Sequence, residues 1–231
     1  ALVEYYVDHD LPARLAAGDP RALAGLDGVG VIGLYMGTTG IVVLAASVVV
    51  SEYASDPRTN GASRQVATTM LVQPRRGAAV VAKLIVVLVS ALVLLALASA
   101  VTLGLCRHLL GSWAPLDPVP WPLLTGILAW WGFSAMASMA LAAATRSALV
   151  SMTVLIAMST MISPGVLLIK STDAARFLPD AAAVRLIANP TTLNYDRLVD
   201  LLSVPMAAAV CAAWAGGCAV TCCWVWMRRD A

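Results

Sequence analysis

Charge is scarce in this sequence. Asp, Glu, Lys and Arg make up 12 % of its 231 residues, hydrophobic residues make up 60 %, and the mean hydropathy is +0.84. A soluble domain of this length cannot hide so much apolar surface, so the composition points to a bilayer as the solvent. With a formal net charge of only +2 and no basic stretch interleaved with aromatics, nucleic acid is excluded as a partner. Histidine is almost missing: His9 and His108 both fall outside the apolar runs, match no metal or triad pattern and read as solvated loop residues. No GxxxxGK[ST] phosphate loop occurs, so any ATP and Mg belong to another chain. Cys106 stands alone, while Cys211, Cys218, Cys222 and Cys223 crowd into the last apolar run without a facing pair, which reads as apolar filler and not zinc or a disulfide framework. No catalytic, metal-binding or cofactor-binding residue is assigned, and the chain is not expected to be an enzyme. It begins at Ala1 without a methionine and without the basic start and apolar core of a signal peptide, so a preceding segment is expected.

What is present is a set of five long apolar runs, at residues 28–50, 78–105, 122–144, 148–169 and 205–227. Hydrocarbon about 30 Å thick takes about 20 apolar residues as helix, and each run is that long. Helix is required because each segment must satisfy its own backbone N–H and C=O groups in lipid, and no alternating strands suggest a barrel. The expected fold is an all-α membrane bundle forming a single transmembrane domain. It comprises an outer segment (1–27), a span (28–53), a cytoplasmic segment (54–76), a span (77–105), an outer loop (106–121), two spans (122–145 and 147–169), an outer helical segment (170–204) and a last span (205–228).

Orientation follows from Lys and Arg near the span ends, which stay on the cytoplasmic side. Arg58, Arg64, Arg75, Arg76 and Lys83 cluster around the first connection, Arg146 fills the turn between the third and fourth runs, and Arg228 and Arg229 follow the fifth. These three places are read as cytoplasmic, which puts the C-terminus inside a multi-pass protein of the plasma membrane. Trp224 and Trp226 mark the inner boundary; Trp113 and Trp121 mark the outer one. The spans carry almost no ionisable groups, which disfavours ion coupling. Small residues, such as Gly132, Ser134, Ala135 and Ala137 in the third run and Ala212, Ala213, Gly216 and Gly217 in the fifth, allow close helix packing, either within the chain or at a dimer seam.

The first connection is the most structured of the polar segments. Asp56, Pro57, Asn60 and Gly61 supply turn chemistry, Ser63 can cap a new helix, and residues 64–72 have helical composition until Pro74 ends it. A short helix on the membrane surface follows. In the outer segment, Pro179 and Asp180 can start another short helix through Arg185 and Ile187, stopped by Asn189 and Pro190, and residues 193–202 have the spacing of a half-inserted helix.

Read in order, the first connection and its flanks give Ser51-Glu52-Tyr53, Gly61, Arg64-Gln65, Thr68-Thr69, Pro74-Arg75-Arg76 and Ala82-Lys83. This set resembles the ABC-2 type ABC transporter permeases, in which the same residues lie between two spans; the later layout, with LPDAAAVRLIANP before the last span, is similar too. Two departures stand out: Glu52 lies farther from Pro74 than the family pattern has it, and the family has one more N-terminal span, six in all. The resemblance implies a permease that pairs with a second permease subunit, the same or a sister, and binds cytoplasmic ABC ATPase subunits through a coupling helix. Glu52, Arg58, Gly61, Arg64, Gln65, Thr68, Thr69, Pro74, Arg75 and Arg76 would form that contact. Arg75 and Arg76 read equally as plain anchors to lipid phosphates. The implied function is export of an amphiphilic, lipid-like, peptide or drug-like substrate along the apolar seam between subunits. Alternatives are a non-transport membrane protein, such as a sensor partner or assembly factor, and an intramembrane enzyme.

Overall fold

The computed structural model describes residues 31–51, 76–110, 121–159, 165, 168, 171–187 and 202–229. Among them there is no strand. The helices are α1 (Val31–Met36), α2 (Thr38–Val50), α3 (Arg76–Leu110), α4 (Trp121–Thr145), α5 (Ala148–Ser159), α6 (Pro179–Ile187) and α7 (Val204–Arg229), with a 3-10 turn at Asp173–Phe177 before α6. Four stretches are long and apolar enough to cross a bilayer: Gly33–Val50, Gly77–His108, Leu123–Thr145 and Val204–Arg228. The chain is thus an all-helical polytopic membrane protein, and four of the five apolar runs are helices of spanning length. Of the remaining run, the fourth (residues 148–169), the described helix α5 covers Ala148–Ser159, 12 residues, which is shorter than a span.

The first run is not one smooth helix. It breaks at Gly37, where Trp131 Nε1 of α4 donates to Leu34 O at 3.1 Å and the Thr38 hydroxyl donates to Tyr35 O at 2.6 Å. Side chains thereby satisfy carbonyls that the break would leave bare in lipid. Gly37 is required there: a Cβ would stand 2.6 Å from Cζ2 of the Trp131 indole.

The core is organised around α4. Of its spanning segment 72 % is buried, against 17 % for α7, and α4 packs on α2, α3, α5, α6 and α7. Ile127, Trp130 and Met139 of α4 meet Ile41, Val42 and Val49 of α2 and Val80 and Val87 of α3 in one cluster. Trp130 stacks on Tyr35 with ring centroids 5.9 Å apart and tilts against Phe133 at 5.5 Å. Offset aromatic packing of this kind adds to the dispersion contacts that hold helices together once lipid has removed the hydrophobic drive. Small residues bring α4 close to its neighbours. A Cβ on Gly126 would meet the Leu186 backbone of α6 at 2.8 Å.

The α4–α5 connection is a tight turn. Arg146 adopts the left-handed conformation (φ 54°) and its N–H bonds Ala142 O at 2.8 Å, closing α4. The Thr145 hydroxyl donates to Leu141 O at 2.7 Å.

The short helix expected from Pro179 to Ile187 is present. Proline in its first turn, Asp180 beside it and Arg185 in the last turn suit the free N–H groups and the dipole. It does not lie on the surface: Pro179 through Ala183 are buried against α4 and α7. Residues 193–201 lie outside the described part.

Candidate functional site

The helices gather basic residues at one end of the bundle. α2 ends at Ser51, and α3 begins at Arg76 and carries Lys83 on its third turn. Lys83 Nζ lies 4.9 Å from the ring centroid of Trp226, near the end of α7, so the start of α3 and the end of α7 share one end of the bundle. Arg228 covers Trp224 at 4.6 Å. These cation–π contacts hold the charged heads beside aromatic rings, where the long stems can stay in apolar surroundings. The turn at Arg146 belongs to the same end, because Ser138, two turns before it, bonds Val42 of α2, and Val42 precedes Ser51 by a similar distance. Lys83, Arg146 and Arg228, one described residue from each of the three places read from the sequence as lying on one side of the membrane, therefore share this end of the bundle.

Of the ten residues proposed for partner contact, one belongs to the described part of this end. Arg76 is the first residue of α3; Glu52, Arg58, Gly61, Arg64, Gln65, Thr68, Thr69, Pro74 and Arg75 lie outside the described residues, as does the expected surface helix. What the structure supplies is their mounting, since the segment 52–75 is bracketed by the end of α2 and the start of α3. The end of α2 is built with local bonds, the Ser51 N–H to Ser47 O at 2.9 Å and its hydroxyl to Val48 O at 3.2 Å.

Behind this mounting is a buried polar node. Ser138 Oγ donates to Val42 O at 2.8 Å and lies 2.9 Å from Ser151 Oγ, while the Ser151 hydroxyl reaches Ser138 O at 2.9 Å. It ties α2, α4 and α5 together at a point where both serines are fully shielded. Sequence reading passed over it. Ser138 follows the small residues Ser134, Ala135 and Ala137, but nothing in the local pattern shows that Ser151 and the Val42 carbonyl face it.

The opposite end holds α6 and the 3-10 turn. Asp180, 2 % exposed, accepts a hydrogen bond from the Gly165 N–H. Trp214 Nε1 donates to Phe177 O at 2.9 Å and Arg185 Nε to Leu202 O at 3.1 Å. Sequence reading saw Asp180 only as a helix starter; its burial depends on α4 and α7 closing over it.

Between α3, α4 and α7 is an apolar cleft of about 340 Å³, lined by Leu88, Gly132, Phe133, Met136, Ala212 and Gly216 among others. The two small-residue stretches behave differently around it. Ser134, Ala135 and Ala137 of α4 are buried within the chain, whereas Ala212 and Ala213 of α7 are exposed and nothing lies within 4 Å of a Cβ placed on Gly216 or Gly217. All five cysteines are free thiols, and Cys211 Sγ points to Pro179 O at 3.8 Å. Comparison with models of protein families, with curated proteins and with solved structures finds no match.

Proposed function

We propose that this chain is the membrane-embedded permease subunit of an ATP-driven ABC-2 type transporter. Its segment 52–75 carries the coupling helix that grips a separate ABC ATPase subunit in the cytoplasm. The observation that carries this reading is the ordered set Ser51-Glu52-Tyr53, Gly61, Arg64-Gln65, Thr68-Thr69, Pro74-Arg75-Arg76 and Ala82-Lys83, which runs from the end of one membrane-spanning helix into the first turns of the next. A connection fixed at both ends to packed helices transmits a displacement, and its charged residues can form charge-assisted bonds with a partner. The gathering of Lys83, Arg146 and Arg228 at the same end supports a cytoplasmic placement of that connection. The exposed small-residue face of α7 supports pairing with a second permease subunit, the same chain or a sister. An apolar cleft beside that face supports an amphiphilic cargo, lipid-like, peptide or drug-like, moved outward as helix packing at the seam changes with ATP binding.

In this reading the protein has no catalytic site of its own; ATP and Mg sit on the partner. The experiment is co-expression of the chain with its candidate ATPase in the plasma membrane of a host cell. Co-purification and stimulated ATP hydrolysis are expected, and Arg64→Glu should abolish the stimulation while leaving the chain folded. Labelling of a cysteine placed at position 64 from outside intact cells would place the connection on the wrong side and overturn the assignment. A folded chain that retains no ATPase would return it to the class of sensor partners or assembly factors.

A further inference from the structure

The 3-10 turn Asp173–Phe177 hangs from α7 well below that helix's first turn. Phe177 O is bonded by Trp214 Nε1 and Pro179 O faces Cys211 Sγ, and these two residues lie roughly 10–15 Å along the axis from Val204 at 1.5 Å per residue. The spanning stretch Val204–Arg228 has 25 residues. It is thus longer than about 30 Å of hydrocarbon requires, and with its two ends placed at the two boundaries the turn would lie between the boundary and the middle of the layer, at the end opposite Lys83 and Arg228. A snorkelling arginine reaches the headgroups from such a depth.

Arg176 is at that place. Its Nε is shielded from solvent without a hydrogen-bond acceptor, and its guanidinium lies 5.6 Å from the Phe177 ring centroid. Among the described residues it has no ion pair. A cation held at this depth without an anion is expensive. The nearby carboxylates form no ion pair with it: Asp180 is buried against the Gly165 N–H, and Asp173 is exposed on the same turn. Phe177 and Trp214, each 44 % exposed, present apolar faces beside the turn.

We propose that this corner is a binding site for a phospholipid of the adjacent leaflet. Arg176 donates to the phosphodiester, a planar fork matched to phosphate oxygens, and Phe177 and Trp214 pack on the first methylenes of the acyl chains. The chemistry recognised is a phosphate group, and the lipid source is favoured over free phosphate because Asp173 repels a dianion more strongly than a singly charged diester.

The test uses the full chain, delipidated in neutral detergent and examined by native mass spectrometry with three probes: phosphatidylglycerol, diacylglycerol with the same chains, and inorganic phosphate. Wild type should retain phosphatidylglycerol at least about tenfold better than diacylglycerol, Arg176→Gln should lose that preference, and Arg176→Lys should keep part of it. A folded Arg176→Gln that retains phosphatidylglycerol like wild type overturns the proposal. Displacement of the lipid by inorganic phosphate at equal concentration overturns the lipid as the source. If Arg176→Gln fails to fold, Asp173→Asn decides: removal of the repelling carboxylate should raise retention, and unchanged retention sinks the site.

Discussion

Ser138 Oγ and Ser151 Oγ face each other at 2.9 Å in the dry interior between α4 and α5, and Ser138 also holds the Val42 carbonyl of α2. Three helices therefore share one pair of hydroxyls near the end of the bundle that carries the segment 52–75. Ser138→Ala removes a donor from Val42 O and a partner from Ser151 together, and is expected to destabilise the chain by about 1 kcal/mol, the scale of interhelical hydrogen bonds in membranes. Ser151→Ala should weaken it by a similar amount. Because each serine serves the other, the double variant should lose less than the sum of the two. Reversible unfolding in mixed micelles measures this cycle, and strict additivity would show that the hydroxyls act independently.

The Gly37–Trp131 contact predicts a rescue. Gly37→Ala places a methyl 2.6 Å from the Trp131 indole, and overpacking of this kind costs about 1–3 kcal/mol. The colliding atoms are the six-membered edge of a side chain, so Trp131→Leu in the same chain should relieve the clash, though it forfeits the indole bond to Leu34 O. A lower melting temperature for Gly37→Ala, recovered in part by the double variant, is the expected pattern. Equal losses in the single and double variants would mean that the Leu34 carbonyl oxygen, 3.1 Å from the same Cβ, and not the indole, excludes a side chain.

At Gly126 no such rescue should work. The atoms met at 2.8 Å are the backbone carbon and oxygen of Leu186, so Gly126→Ala pushes α6 away from α4 whatever side chain stands at position 186. The expected loss is of the same size, about 1–3 kcal/mol, and Leu186→Ala should not restore it. Gly216→Ala and Gly217→Ala, with open space around them, should leave the thermal stability of the monomer near wild type. Any loss there that appears only in the assembled protein would locate a seam on α7.

How much of this was legible in the sequence depended on whether the determinant is local. Bilayer thickness imposes a length, so the runs that became α3, α4 and α7 could be bounded to within a few residues, and Pro179 followed by Asp180 marked the start of α6 from its own chemistry. The break at Gly37 was not legible, because its cause is Trp131, brought in by the packing of another helix. Ser138 and Ser151 were equally silent: serine in a span satisfies itself on a preceding carbonyl as readily as across an interface, and only the crossing of α4 with α2 and α5 decides. The burial of Asp180 likewise follows from α6 folding in beside α4 and α7. For the candidate site, the order of residues from Glu52 to Arg76 carries the reading, and the structure adds the two helices on which that segment is mounted.

The turn after α4 allows a backbone effect to be separated from a charge effect. Arg146 holds φ 54°, a conformation that costs a residue bearing a Cβ about 1–2 kcal/mol and glycine almost nothing. Arg146→Ala and Arg146→Gly both delete the cation at the basic end of the bundle, so any effect of its charge on orientation or lipid contact is common to the two. Only the left-handed strain differs. Arg146→Gly should therefore be the more stable of the pair by about 1 kcal/mol, read as the difference between their unfolding free energies in the same micelles. If alanine proved as stable as glycine at this position, the turn would have to close by another backbone path, and the hydrogen bond from the residue 146 N–H to Ala142 O, which the left-handed conformation permits, would be lost with it.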